Sequence, residues 1–169
     1  QIAMRTLKTN PLVFSHSPHT ILKYFPNINT MAVRKLARVE AIKSLPETVT
    51  SLIIWQLGFR RFPPEQLRYA DRVVEIRDCE YNLEPAVDLT LFRNLQRLTV
   101  TRLPVHFRLP QHRLKCVKVF PWRGEDPLAV FPPECAEQII IAFTSRKAFV
   151  DAKTRPLPPN LRIFCTKIG

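Results

Sequence analysis

Glycine is nearly missing from this 169-residue chain: Gly58, Gly124 and Gly169 stand against sixteen prolines. That scarcity removes whole classes of chemistry. Phosphate-cradling loops need glycine where the backbone approaches the ligand, and the chain has no P-loop, no G-x-G-x-x-G and no nucleophile elbow. No apolar run reaches the length of about 18 residues that spans a bilayer, so no transmembrane segment is expected. The four cysteines, at positions 79, 116, 135 and 165, lack C-x-x-C spacing and histidine neighbours in a metal-ligand pattern. They are expected to be free, buried thiols, with Cys79 and Cys165 close to interior positions. Because the sequence opens on Gln1 rather than Met, the polypeptide is expected to be processed or truncated.

What is present is a rhythm. An apolar, any, apolar doublet returns about every 22 residues: Met31/Val33, Leu52/Ile54, Val74/Ile76, Leu98/Val100, Val117/Val119, Ile139/Ile141, and less cleanly Ile163 with Phe164. An apolar-proline step keeps the same beat at Leu45-Pro46, Phe62-Pro63-Pro64, Leu109-Pro110, Phe131-Pro132-Pro133 and Leu157-Pro158-Pro159. A unit this short cannot bury its own apolar face, so neighbouring units must stack. Proline without glycine favours stiff, extended connections.

The spacing resembles that of leucine-rich repeats. Leu95-Gln96-Arg97-Leu98-Thr99-Val100 matches the opening of the family pattern L-x-x-L-x-L-x-x-N/C-x-L, as do Val49/Leu52/Ile54 and Leu114/Val117/Val119. Three residues after each pair the family carries Asn or Cys, whereas this chain has Leu36, Leu57, Cys79, Leu103, Trp122 and Thr144. Only Cys79 fits. The resemblance implies an α/β fold: a leucine-rich-repeat-like solenoid, its parallel concave sheet built of about six or seven short strands with irregular or short-helical convex connections. Residues 1–24 are read as an N-terminal arm and capping helix, and residues 25–169 as the solenoid. Helices are expected at Pro18–Phe25, Glu65–Ala70, Asp88–Asn94 and Ser145–Lys153, with Asp88 and Ser145 as N-caps. Extracellular members bracket their ends with cysteine clusters, which are missing here, so an intracellular address is expected.

The formal charge of +12 is unevenly placed. Residues 1–39 and 89–123 contain no acid, while residues 65–88 hold Glu65, Asp71, Glu75, Asp78, Glu80, Glu84 and Asp88. Such a balance suits a polyanion, an anionic membrane surface, or simply a compartment whose proteins are basic; the mitochondrion is the favoured compartment. Candidate polyanion-binding residues are Arg34, Lys35, Arg38, Arg93, Arg97, Arg108, Arg113 and Lys115. No RNA-recognition motif accompanies them.

Period two assigns exposure on short strands. The concave face so derived presents Trp55, Arg77, Arg102, Lys118, Phe120, Ile140 and Phe143, which are candidate protein-binding residues because exposed aromatic and aliphatic clusters mark interaction surfaces. A register slip of one residue would exchange the two faces, and a terminal segment folded over them would serve equally as cover. His16, His19, His106 and His112 have no serine, cysteine or carboxylate that the sequence connects to them, and no catalytic residue, metal, cofactor or small-molecule substrate is expected. The expected function is that of a non-catalytic scaffold subunit binding other protein subunits in a larger complex. The alternative is an RNA-binding component of a ribosome or other ribonucleoprotein.

Overall fold

A computed structural model describes residues 6–8, 28–33, 47–55, 57–58, 68–80, 86–101, 103, 106–121, 125–154 and 156–166. Each doublet falls on a strand. The strands are β1 (Thr6–Lys8), β2 (Thr30–Val33), β3 (Ser51–Ile54), β4 (Leu57–Gly58), β5 (Val73–Glu80), β6 (Ala86–Asp88), β7 (Arg97–Val100), β8 (His106–Arg108), β9 (Leu114–Val119), β10 (Ala136–Phe143) and β11 (Leu161–Cys165). Nine of them form one open sheet in the order β1-β2-β3-β5-β7-β9-β10-β11, with β4 attached to β5. The pairings along it are parallel. The helices α1 (Pro127–Val130) and α2 (Arg146–Lys153) lie between strands.

The doublets set the register. Val33, Ile54, Ile76, Leu98, Val117, Ile139 and Leu161 stand opposite one another across successive strands, and all are buried. A second row joins Val100, Val119, Ile141 and Ile163. Ile28, Leu89, Phe92, Leu95 and Phe131, from the connections, close the same core. Burying a Leu or Ile side chain is worth about 1.5–3 kcal/mol, so each unit contributes mainly through the two or three apolar positions it adds to these rows.

The register corrects two of the expected pairs. Leu52 faces Val73 and Ile53 faces Glu75, which leaves Val74 as the extra residue of a bulge. Val73 is therefore the core residue and Val74 is half-buried. At the other end the pair is Leu161/Ile163, facing Ile139 and Ile141, whereas Phe164 points to the opposite side and is 50% exposed. Leu161 also restores the beat, standing 22 residues after Ile139. The sheet itself begins inside the expected arm, since Thr6, Leu7 and Lys8 pair with Thr30, Met31 and Ala32. Thr-Leu-Lys carries no apolar doublet, and so gave no sign of being a strand. The expected capping helix Pro18–Phe25 lies outside the described residues.

Polar side chains just ahead of four strands reach back one unit to a main-chain carbonyl. Arg72 donates to Val49 O at 3.2 Å, Asn94 Nδ2 to Asp71 O at 2.6 Å, and His112 Nε2 meets Leu95 O at 2.6 Å. A carbonyl only accepts, so His112 must carry its proton on Nε2. Asn160 Nδ2 reaches two carbonyls, Pro133 O at 2.7 Å and Ala136 O at 2.9 Å. These bonds satisfy main-chain groups at or just before the strand entrances. Proline sets the turns themselves: Cys135 N donates to Pro132 O at 2.9 Å and Leu161 N to Pro158 O at 3.0 Å, each just at the entry to a strand.

Of the expected helices, Ser145–Lys153 is present as α2. Ser145 holds the N-cap position with its carbonyl, which accepts from Phe149 N at 3.1 Å, and its side chain makes no capping bond. Asp88–Asn94 is not a helix. The Asp88 carboxylate accepts from Thr90 N at 2.9 Å and from the Thr90 hydroxyl at 2.6 Å, a local turn that competes with helix formation. Two further turns follow, Phe92 N to Leu89 O and Leu95 N to Phe92 O, so that Leu89, Phe92 and Leu95 reach the core at a spacing of three. That spacing is what imitates a helix in the sequence. The first half of Glu65–Ala70 lies outside the described residues; Arg68 and Tyr69 are in a turn, and Ala70 opens a 3-10 turn, Ala70–Arg72. Beside it all, β6 and β8 form a small parallel pair in which Asp88 faces Arg108.

Asn160→Ala should lower unfolding free energy by about 1–3 kcal/mol in denaturant titration, because two carbonyls lose their donor. Asn160→Asp should cost at least as much, since it sets a carboxylate against both. Leu98→Ala should cost about 2–5 kcal/mol by the same measurement.

Candidate functional site

Alternation along the strands leaves one face of the sheet free of the core. Three rows run across it. The first joins Ala32, Ile53, Glu75, Arg97, Cys116 and Gln138. The second runs through Thr99, Lys118, Ile140 and Arg162, and the third includes Ala142 and Phe164. Trp55, just after β3, and Arg77 of β5 continue the face beside one another, and Phe120 continues it beyond Lys118.

The two ends of this face differ. Ala32 and Ile53 are buried. From β7 onward Arg97, Lys118 and Arg162 are exposed, and Ile140 and Phe120 are half-buried. Trp55 is 37% exposed, with the Arg77 guanidinium 5.1 Å from its ring centre. Arg77 is in turn held by Glu75, Nε to Oε1 2.9 Å, so carboxylate, guanidinium and indole form one stack. The Lys118 ammonium lies 4.9 Å from the centre of the Phe120 ring. Contacts of this kind are worth about 0.5–1 kcal/mol at exposed sites and serve chiefly to fix the side chains in place.

Of the expected face residues, the structure thus brings Trp55 and Arg77 together at one end and Lys118, Phe120 and Ile140 at the other. Arg102 lies outside the described residues. Phe143 is not on this face: only 8% exposed, it belongs to the core with Ile139 and Ile141. Period two counted from Ile139 places residue 143 inward, so Phe143 cannot share a face with Ile140. Two face residues went unnoticed, Arg162 and Phe164. Reading Leu161/Ile163 as the last doublet would have found both.

The described polyanion-binding candidates are divided between the open face, the strand entrances and the small sheet. Arg34, Lys35 and Arg38 lie outside the described residues. Arg97 sits on the open face beside Glu75 and Cys116 in register, whereas Arg93 and Arg113 are exposed on the turns that enter β7 and β9. Lys115 is exposed at the start of β9, where Lys115 N and Cys116 N both donate to Gln96 O. Arg108 is drawn to Asp88, 3.6 Å away, on the small sheet. The Thr90 hydroxyl and amide, together with Arg108, hold the Asp88 carboxyl below its usual range.

Cys116 and Cys135 are free thiols and half-buried. Burial raises the Cys116 thiol despite Arg97 and Lys118 nearby, and burial with Glu134 beside it pushes Cys135 up to about 11. Among the described residues no group of three or more His, Cys, Asp or Glu side chains could hold a metal ion, and no helix is long and apolar enough to cross a membrane.

A raised pKa disfavours the thiolate, which is the reactive form. At pH 8 only roughly one Cys135 in a thousand should be ionised. Alkylation by iodoacetamide, followed by peptide mass spectrometry, should therefore modify Cys135 at least tenfold more slowly than an unstructured cysteine peptide, and the rate should keep rising as pH approaches 11. No family model, curated protein or solved structure matches this chain.

Proposed function

We propose that the chain is a leucine-rich-repeat-like solenoid acting as a non-catalytic, protein-binding subunit of a larger intracellular assembly, with the open sheet face as the seat of its partner. Support for the solenoid comes from strands that pair in chain order at one unit's separation, each unit completing its core only against the next. The observation that carries the function is the uncovered face. Parallel sheets are ordinarily covered on both sides, and this one presents Trp55, Phe120, Ile140 and Phe164 among Arg97, Lys118 and Arg162. Aromatic side chains and arginine are the residue types that dominate protein interfaces. The basic charge and the absence of disulfide spacing favour a mitochondrial address.

The RNA-binding alternative draws on Arg93, Arg113 and Lys115, exposed at the strand entrances outside this face. Backbone recognition of that kind would weaken steeply with salt, as each neutralised phosphate releases counterion.

Capture of the tagged chain from its native cells, with and without nuclease, separates the two readings. Protein partners should survive nuclease, and Trp55→Ala or Phe164→Ala should weaken their binding about tenfold or more, while Arg93→Ala with Arg113→Ala leaves it within twofold. Loss of every partner with the RNA would transfer the function to the ribonucleoprotein reading.

A further inference from the structure

The uncovered part of the face is itself divided. Its cations stand toward the strand entrances: Arg97 on β7, then Lys118 and Arg162, which share a row with Ile140 between them. Its apolar surface lies one step further along the strands, where Phe120, Ala142 and Phe164 follow. Ala142 is itself buried, which leaves Phe164 as the most accessible ring of this band. The two bands run side by side across β9, β10 and β11.

Resting on the reading of this face as a partner's seat, we infer that its occupant is an acidic, amphipathic segment of another protein. The segment lies across the strands with carboxylates over Lys118 and Arg162 and apolar side chains against Phe120, Ile140 and Phe164. Charge complementarity selects the acidic margin, since the exposed groups of the cation band are all positive. The apolar band selects its other margin. A nucleic acid fits less well. The Trp55 and Phe120 rings are already overlaid by Arg77 and Lys118, Ile140 and Ala142 provide no surface for base stacking, and the Glu75 carboxylate would face a phosphate chain. From β7 to β11 is three strand steps, about 14 Å, which an extended segment crosses in roughly four or five residues. A short peptide is thus long enough to engage both bands.

The test is selection of a displayed library of random dodecapeptides on the full chain. Enriched peptides should combine two or more Asp or Glu with Leu, Ile or Phe, and should elute with salt. Their affinity should fall at least tenfold on Lys118→Glu/Arg162→Glu and on Phe164→Ala. Arg146→Glu/Lys147→Glu, an equal charge change on the exposed start of α2, should leave it within twofold. Thermal unfolding checks that each variant is folded, and Lys118→Gln/Arg162→Gln gives the same reading without charge reversal. No enrichment, enrichment of peptides lacking acids, or affinity indifferent to Lys118 and Arg162 overturns the acidic occupant. Displacement of the peptides by a uridine dodecamer binding more tightly than they do overturns it as well. Nuclease-resistant capture that depends on Trp55 alone would leave the protein-binding function standing while this inference fell.

Discussion

Main-chain carbonyls at the turns, where no strand partner reaches them, are the constraint on which this architecture depends. A chain that reverses direction every few residues accumulates such groups, and each one left dry and unbonded costs about 1–3 kcal/mol. Here Arg72, Asn94, His112 and Asn160 each reach back one unit to supply the missing donor. What they share is position, just ahead of a strand. They fix where each strand starts, and with it the alignment of the apolar rows that hold the sheet together.

That alignment determines the surface. Once Ile76, Leu98, Val117 and Ile139 are set opposite one another, the residues between them have nowhere to go but the other face. The composition of that face is therefore independent of the core's needs, and it is free to carry Lys118 and Arg162 beside Phe164. The core asks only for apolar volume at every second position. The contrast between a uniform interior and a varied exterior is what gives a repeated unit a distinctive surface.

Strand positions were legible in the sequence because a doublet states both its place and its period, and the doublets from Met31 to Ile141 lie on strands. Legibility ends where the period is locally broken. The bulge that accommodates Val74 shifts the core position to Val73, which a fixed period cannot anticipate. Leu89, Phe92 and Leu95 are spaced like a helix face, yet the Asp88 side chain captures Thr90 and the chain proceeds by successive tight turns. The donors of the strand entrances were invisible for a different reason. Arg, Asn and His share no letter, so no motif records a role that is defined by geometry. On the face, Trp55, Lys118, Phe120 and Ile140 followed from parity, and Phe143 was misplaced by leaving it.

Strand order along this sheet is chain order, and partners such as Met31 and Leu52 or Ile139 and Leu161 are 21 and 22 residues apart. No strand of the sheet has to wait for a distant part of the chain. The entropy of closing a loop grows with its length, so every pairing here draws on a short and nearly equal closure. Each strand can therefore be laid on the one before it as soon as its own unit of chain is free to fold.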